Sequence, residues 1–124
     1  MANMTMSSED YLEAIFVLSN KGEVRSTDVA EMLCVSKPAV NKAVGELIEQ
    51  SLVVKRAYGR ITLTEHGRAL AEKIYARHKL LKDFLLEIGV SEQTATVDCC
   101  KIEHFVSEET VTKLSEFMDG LKKE

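Results

Sequence analysis

Cys100, Glu103 and His104 fall at i, i+3 and i+4. On a helix that spacing turns all three toward one side. A thiol, a carboxylate and an imidazole on one face form a three-donor edge for a divalent metal. The plainer alternative is a polar helix face that happens to carry a cysteine. Cys99 is about 100° around the same helix from Cys100 and is read as lying outside the trio. Asp10 and Glu13 are one turn apart near the start of another helix, so two acids project together. Alone, they also suit a solvated acidic flank favoured by the helix macrodipole. His78 stands at the edge of an apolar stripe, a turn after Ile74, where a single histidine is more often a half-buried packing residue.

A second chemistry is carried by the stretch from Ser26 to Gln50. Ser26 or Thr27 can cap a short helix in which Val29, Ala30 and Leu33 make a small apolar face. Cys34-Val35 carries a turn. Ser36 caps the next helix, with Pro38 in its first turn. Val40, Val44, Leu47 and Ile48 form its buried stripe. Ser36, Lys37, Pro38, Ala39, Asn41 and Lys42 are left for a major groove. Leu52–Lys55 and Ile61–Leu63 read as strands around the basic turn that carries Arg56 and Arg60. Helix, turn, helix and basic hairpin in that order make a winged helix-turn-helix, and the expected partner is double-stranded DNA. Base edges are the expected targets of Asn41 and Lys42, and phosphates those of Arg56 and Arg60.

The charge distribution agrees with this reading despite a net charge of −4. Between Ser36 and Arg60 the balance is +3, which leaves −7 on the remainder. A basic reading head on an acidic body can hold phosphate, and the body invites a cation. Few aromatics and no Trp argue against a stacking platform for single strands. The apolar run Ala14–Leu18 is too short to span a bilayer, so no membrane partner is expected. Cysteines in such a chain suit a reducing, cytoplasmic setting.

The elements that position these residues follow from caps and stripes. Residues before Ser7 read as a loose lead, and Ser7 or Ser8 opens a helix whose core face is Tyr11, Leu12, Ile15, Phe16 and Leu18. After the hairpin, Thr64 caps a long helix that Gly89 stops. Ser91 starts the segment that bears the trio, with Ile102, Phe105 and Val106 on its other side. Ser107 opens a last helix striped by Val111, Leu114, Phe117, Met118 and Leu121. The expected fold is mainly α, a winged helix-turn-helix domain over 1–70 and a helical domain over 71–124.

Taken together, Ser8-Glu9-Asp10-Tyr11-Leu12-Glu13, Tyr75-Ala76-Arg77-His78-Lys79-Leu80-Leu81 and Cys100-Lys101-Ile102-Glu103-His104 resemble the diphtheria toxin repressor family of metal-dependent regulators. The chain is most similar to its short, manganese-transport-regulator branch. The resemblance implies that the second domain binds metal and dimerises. It also implies a homodimer on a palindromic operator, a repressor's role in metal homeostasis, and no small organic substrate. It implies a metal site of Asp10, Glu13, His78, Cys100, Glu103 and His104. Asp10, Glu13 and His78 match the manganese type, Cys100 matches the iron type, and Glu103 and His104 match both. Lys82 and Thr96 stand where the iron type's ancillary ligands would be. The hybrid set suits Mn²⁺ or Fe²⁺, with Co²⁺ or Zn²⁺ able to bind in vitro. Two other readings compete: a redox-sensing winged-helix regulator using Cys34, Cys99 or Cys100, and a metal-dependent hydrolase with Glu103 as base. The second lacks oxyanion donors and a further acid/base pair, so no enzyme is expected.

Overall fold

The computed structural model describes residues 6–122. The elements are α1 Met6–Ser19, α2 Ser26–Leu33, α3 Lys37–Glu49, β1 Val53–Lys55, β2 Ile61–Leu63, α4 Glu65–Glu87, α5 Glu92–Ile102 and α6 Glu108–Lys122. The chain divides within α4, the first unit running to Lys73 and the second starting at Ile74. The reading of the first few residues as loose lies outside the described residues, and α1 is already helical at Met6.

In the first unit, α1 packs on α2 and α3. Tyr11, Leu12, Ala14, Ile15 and Phe16 of α1 are buried with Val29 of α2 and with Val40, Val44 and Leu47 of α3. Leu18 is only half-buried. Ser36 starts α3 by accepting the Ala39 backbone N–H at 3.2 Å, which satisfies one of the open donors of a first turn. The α2 cap differs from expectation. Arg25 occupies the cap position, and its backbone N–H donates to Asp28 Oδ2 at 2.9 Å. Ser26 is buried instead, one residue into the helix. Ile48 also departs from the expected stripe: it is exposed, and Ala43 takes the buried place. Eight residues on from Val40 the helix has turned well past the face that Val40 defines.

The hairpin pairs antiparallel, Val53 opposite Leu63 and Lys55 opposite Ile61. Its inner side is fixed by buried Val53 and Ile61, and by the Ile61 N–H donating to the Val24 carbonyl at 2.8 Å. Tyr58 and Gly59 take left-handed conformations at its tip. The start of α4 is clamped beneath the hairpin. Thr64 Oγ1 donates to the Ser51 carbonyl at 2.7 Å and accepts the Gly67 N–H at 2.9 Å. A side chain at Gly67 would collide with the Leu52 carbonyl oxygen, so the close approach requires glycine.

In the second unit, α4 ends where Gly89 adopts φ 100° and Val90 N–H returns to the Leu85 carbonyl. Ser91 caps α5 and Ser107 precedes α6, each accepting an N–H from three residues on. Ile74, Leu81, Ala95, Cys99 and Met118 are buried, while Ile88, Val97, Phe105 and Phe117 are exposed. Phe105 was expected on a covered face. The helix stops at Ile102, and the backbone then tightens, with Phe105 N–H reaching the Ile102 carbonyl at 3.0 Å. Helical register carried past Ile102 therefore does not hold.

Candidate metal centre and DNA-reading surface

Within the second unit, Glu103 is the most unusual side chain. It is fully buried just beyond the end of α5. Its Oε1 lies 3.1 Å from His78 Nδ1 on α4. Its Oε2 is also buried and has no hydrogen-bond partner among the described residues. A carboxylate oxygen withdrawn from water without a partner is costly, and a cation is the group that most directly offsets that cost. The donor set around it fits a divalent transition metal. Cys100 is exposed, with Sγ 3.9 Å from His78 Nδ1, and His104 is half-buried. His78 thus lies beside Glu103 on one hand and Cys100 on the other. His104 follows α5 in a turn, so its direction is set by that turn and not by the helical spacing.

Cys99 is the residue that helical spacing set aside. It is fully buried, and its Sγ lies 3.7 Å from each ring nitrogen of His78. Both thiols therefore approach one imidazole, although they leave the helix about 100° apart. A long side chain on a neighbouring helix spans that angle. The i, i+4 spacing of Ala95 and Cys99, the buried residues of this helix, was the available signal.

In the first unit, Asp10 and Glu13 stand one turn apart on α1, both half-buried. Their helix is the one packed against α2 and α3.

The DNA-reading candidates lie on the same unit. Ser36, Lys37, Pro38, Asn41 and Lys42 are exposed at the start of α3, and Ala39 is half-buried among them. Asn41 is held: its Oδ1 accepts the Ser26 hydroxyl at 2.9 Å. That leaves the Nδ2 hydrogens and the second lone pair of Oδ1 for another partner, the pair of groups a two-pronged grip on adenine uses. Arg56 is exposed, with Nε 3.4 Å from Thr62 Oγ1. Arg60 turns back along the hairpin, with Nη1 3.7 Å from Glu23 Oε1 and Nε donating to the Ala57 carbonyl.

Three further residues join this surface. Arg25, Lys55 and Tyr58 line an open cleft of about 260 Å³ together with Lys37 and Asn41. Arg25 Nε donates to the Tyr58 carbonyl at 3.3 Å, so the loop before α2 is tied to the hairpin tip. Lys55 and Arg25 were legible as basic residues, but only the folded hairpin brings them beside α3.

Residues 3–61 match the family model of the iron dependent repressor N-terminal DNA binding domain. Residues 64–124 match that of the iron dependent repressor metal binding and dimerisation domain. An uncharacterised HTH-type transcriptional regulator of Methanocaldococcus jannaschii is 38% identical over 122 residues, 96% of this chain and 98% of that protein. The HTH-type transcriptional regulator MntR of Lysinibacillus sphaericus is 35% identical, covering 95% of this chain and 86% of its own. The solved structure of the manganese regulator SloR superposes with a TM-score of 0.83 at 32% identity over 94% of this chain. This chain spans 55% of the SloR chain, about half its length. These relatives lend no support to a redox regulator. With both of its halves matched and close relatives aligned over nearly its whole length, the chain belongs to the iron-dependent repressor family of metal-dependent, DNA-binding transcriptional regulators, which are not enzymes.

Proposed function

We propose that this chain is a metal-sensing repressor that binds a palindromic operator as a homodimer when loaded with Mn²⁺ or Fe²⁺, and so controls metal homeostasis. The observation that carries the reading is Glu103, a buried carboxylate with one oxygen on His78 and the other without a partner. Asp10, Glu13, His78, Cys100, Glu103 and His104 would hold the ion. The ion would supply the positive charge that lets several carboxylates share one locus. Family membership, and the manganese named for SloR, support this assignment.

The chain's own residues explain how such a site would reach DNA. Asp10 and Glu13 belong to α1, whose buried face rests on α2 and α3. Any restraint on these two acids is a restraint on the scaffold of the recognition helix. The sensing state must differ from the other in ion affinity, because an ion with equal affinity for both shifts nothing. Ser36, Lys37, Pro38, Ala39, Asn41 and Lys42 would enter the major groove. Arg56 and Arg60 would meet phosphate, and Arg25 and Lys55 extend that basic rim. A dimer sets two such heads on half-sites spaced by about a DNA turn or a multiple of it. The exposed Ile88, Val97, Phe105 and Phe117 of the second unit are the apolar surface available for it. Among the described residues no helix is long and apolar enough to cross a membrane.

The test is fluorescence anisotropy on a duplex selected by the protein in Mn²⁺, repeated with Fe²⁺ and with chelator. Tight binding that chelator abolishes, and that Glu103→Gln loses at the same ion concentration, is the expected result. Sequence-specific binding that ignores chelator would sink the sensor and leave a constitutive binder.

A further inference from the structure

We propose that His78, Cys99 and Cys100 form a second ligand set, for thiophilic divalent ions such as Zn²⁺ or Cd²⁺, which competes with the carboxylate-bearing set for the same imidazole. The set is contained in the second unit and needs nothing from α1. One donor atom from each residue lies within 4.8 Å of the other two. Cys99 Sγ is 3.7 Å from His78 Nδ1 and Cys100 Sγ is 3.9 Å from it. In a tetrahedral zinc site the sulfur-to-nitrogen edge is about 3.5 Å, from bond lengths of roughly 2.3 and 2.0 Å. The apo distances are of that order, but Cys99 Sγ is equidistant from the two ring nitrogens, so filling the site requires the Cys99 side chain or the imidazole to turn until sulfur and nitrogen lone pair face one ion.

The surroundings favour a soft ion over a hard one. Two sulfurs and one imidazole nitrogen are the donor types that select zinc-like ions, whereas manganese prefers oxygen. Cys99 is fully buried and Cys100 is exposed. The ion can therefore arrive at Cys100 and finish against Cys99, and the inner ligand is shielded from water once engaged. In the apo state Cys99 Sγ donates to the Thr96 carbonyl at 3.4 Å, a bond that is given up when the thiol loses its proton to an ion.

Competition follows from the atoms addressed. Glu103 Oε1 and Cys100 Sγ both approach Nδ1 of His78, at 3.1 and 3.9 Å. One lone pair cannot serve two ions. An ion held by the thiols would take His78 away from Glu103, so thiophilic ions would oppose Mn²⁺ and not reinforce it. The competition rests on the role of His78 proposed above; the thiol site does not.

The experiment is ¹¹³Cd NMR of the reduced, full-length apo protein with substoichiometric cadmium, alongside anisotropy of the wild type with Mn²⁺. The wild-type cadmium shift is expected in the two-thiolate range. Cys99→Ser and Cys100→Ser should each move it to the one-thiolate range and weaken cadmium by about tenfold or more, a loss that even outer-shell partners of metals can cause. A wild-type shift typical of one thiolate or none overturns the site, and this readout requires no variant to fold. A two-thiolate signal supports the site whether or not Mn²⁺ drives DNA binding. Loss of the Mn²⁺ response alone counts against the sensor and leaves the thiol site standing.

Discussion

In the first unit the side chains withdrawn from water are almost all hydrocarbon, with Leu12, Ile15, Val29, Val40, Leu47 and Ile61 at its centre. Its polar and basic groups stand outside, at the start of α3 and on the hairpin. The second unit is arranged the other way. Glu103 and Cys99 are as fully buried as Ile74 and Ala95, while Ile88, Phe105 and Phe117 remain in water. Burial of apolar area stabilises a fold without help, whereas a buried carboxylate needs a counter-charge and exposed aromatics need a cover. The contrast teaches that the first unit is a finished scaffold that carries its chemistry on its surface. The second, on the proposed reading, is completed by other things, an ion within and a second copy without.

The largest expected effect separates these two kinds of core. Leu47→Ala removes a fully buried side chain from the first unit and should cost about 2–5 kcal/mol in chemical denaturation of the apo chain. Phe105→Ala should cost less than about 0.5 kcal/mol in the dilute single chain, as surface changes do. It should nonetheless weaken self-association in sedimentation. If Phe105→Ala proved as destabilising as Leu47→Ala in the dilute chain, the contrast between the units would collapse.

The next effect asks whether the units communicate. Glu13 is not among the residues proposed to meet DNA, yet Glu13→Ala should reduce the tightening of operator binding by metal, typically about 5- to 150-fold in coupled systems. Metal-independent binding to random duplex should survive, because the basic head is unaltered. Reciprocity requires operator to tighten metal by the same factor. Paired titrations of metal with and without operator, and of operator with and without metal, read both numbers. An operator that leaves metal affinity unchanged would make the ion structural and not regulatory.

How much of this was legible in the chain follows from the range of the forces involved. Ser36, Thr64, Ser91 and Ser107 begin helices as their sequence context suggested, because a cap is satisfied within three residues. The hairpin was legible for the same reason. Ser26 was misjudged because its hydroxyl found Asn41, fifteen positions away, while Asp28 satisfied the backbone in its stead. Phe105 was misjudged because helical register was carried beyond Ile102, where the helix ends. Cys99 lay on the wrong face by helical geometry, yet His78 on α4 comes within reach of both thiols. Donor types could be read from the sequence; which of them share one imidazole required the packing of α5 on its neighbours.

The smallest expected effect concerns the hairpin, and it tests whether the first unit reads DNA with more than α3. Arg60 Nη1 rests 3.7 Å from Glu23 Oε1, with both side chains substantially exposed. Exposed pairs of this kind contribute only about 0–1 kcal/mol, so Arg60 can leave Glu23 for a phosphate at little cost. Arg60→Ala should therefore weaken selected and scrambled duplexes alike and reduce the salt slope by about 0.9, the value for one phosphate contact. Glu23→Gln should act in the opposite direction and slightly tighten both duplexes, because it removes the competing partner and an acid beside the DNA. The measurement is the dependence of affinity on salt for both variants and both duplexes. A wild-type slope in Arg60→Ala, together with a silent Glu23→Gln, would mean that the hairpin stays off the phosphates. The long-range attraction would then come from Lys37, Lys42 and their neighbours, and the apparent wing would be a structural brace for α4, through Ser51 and Thr64, and nothing more.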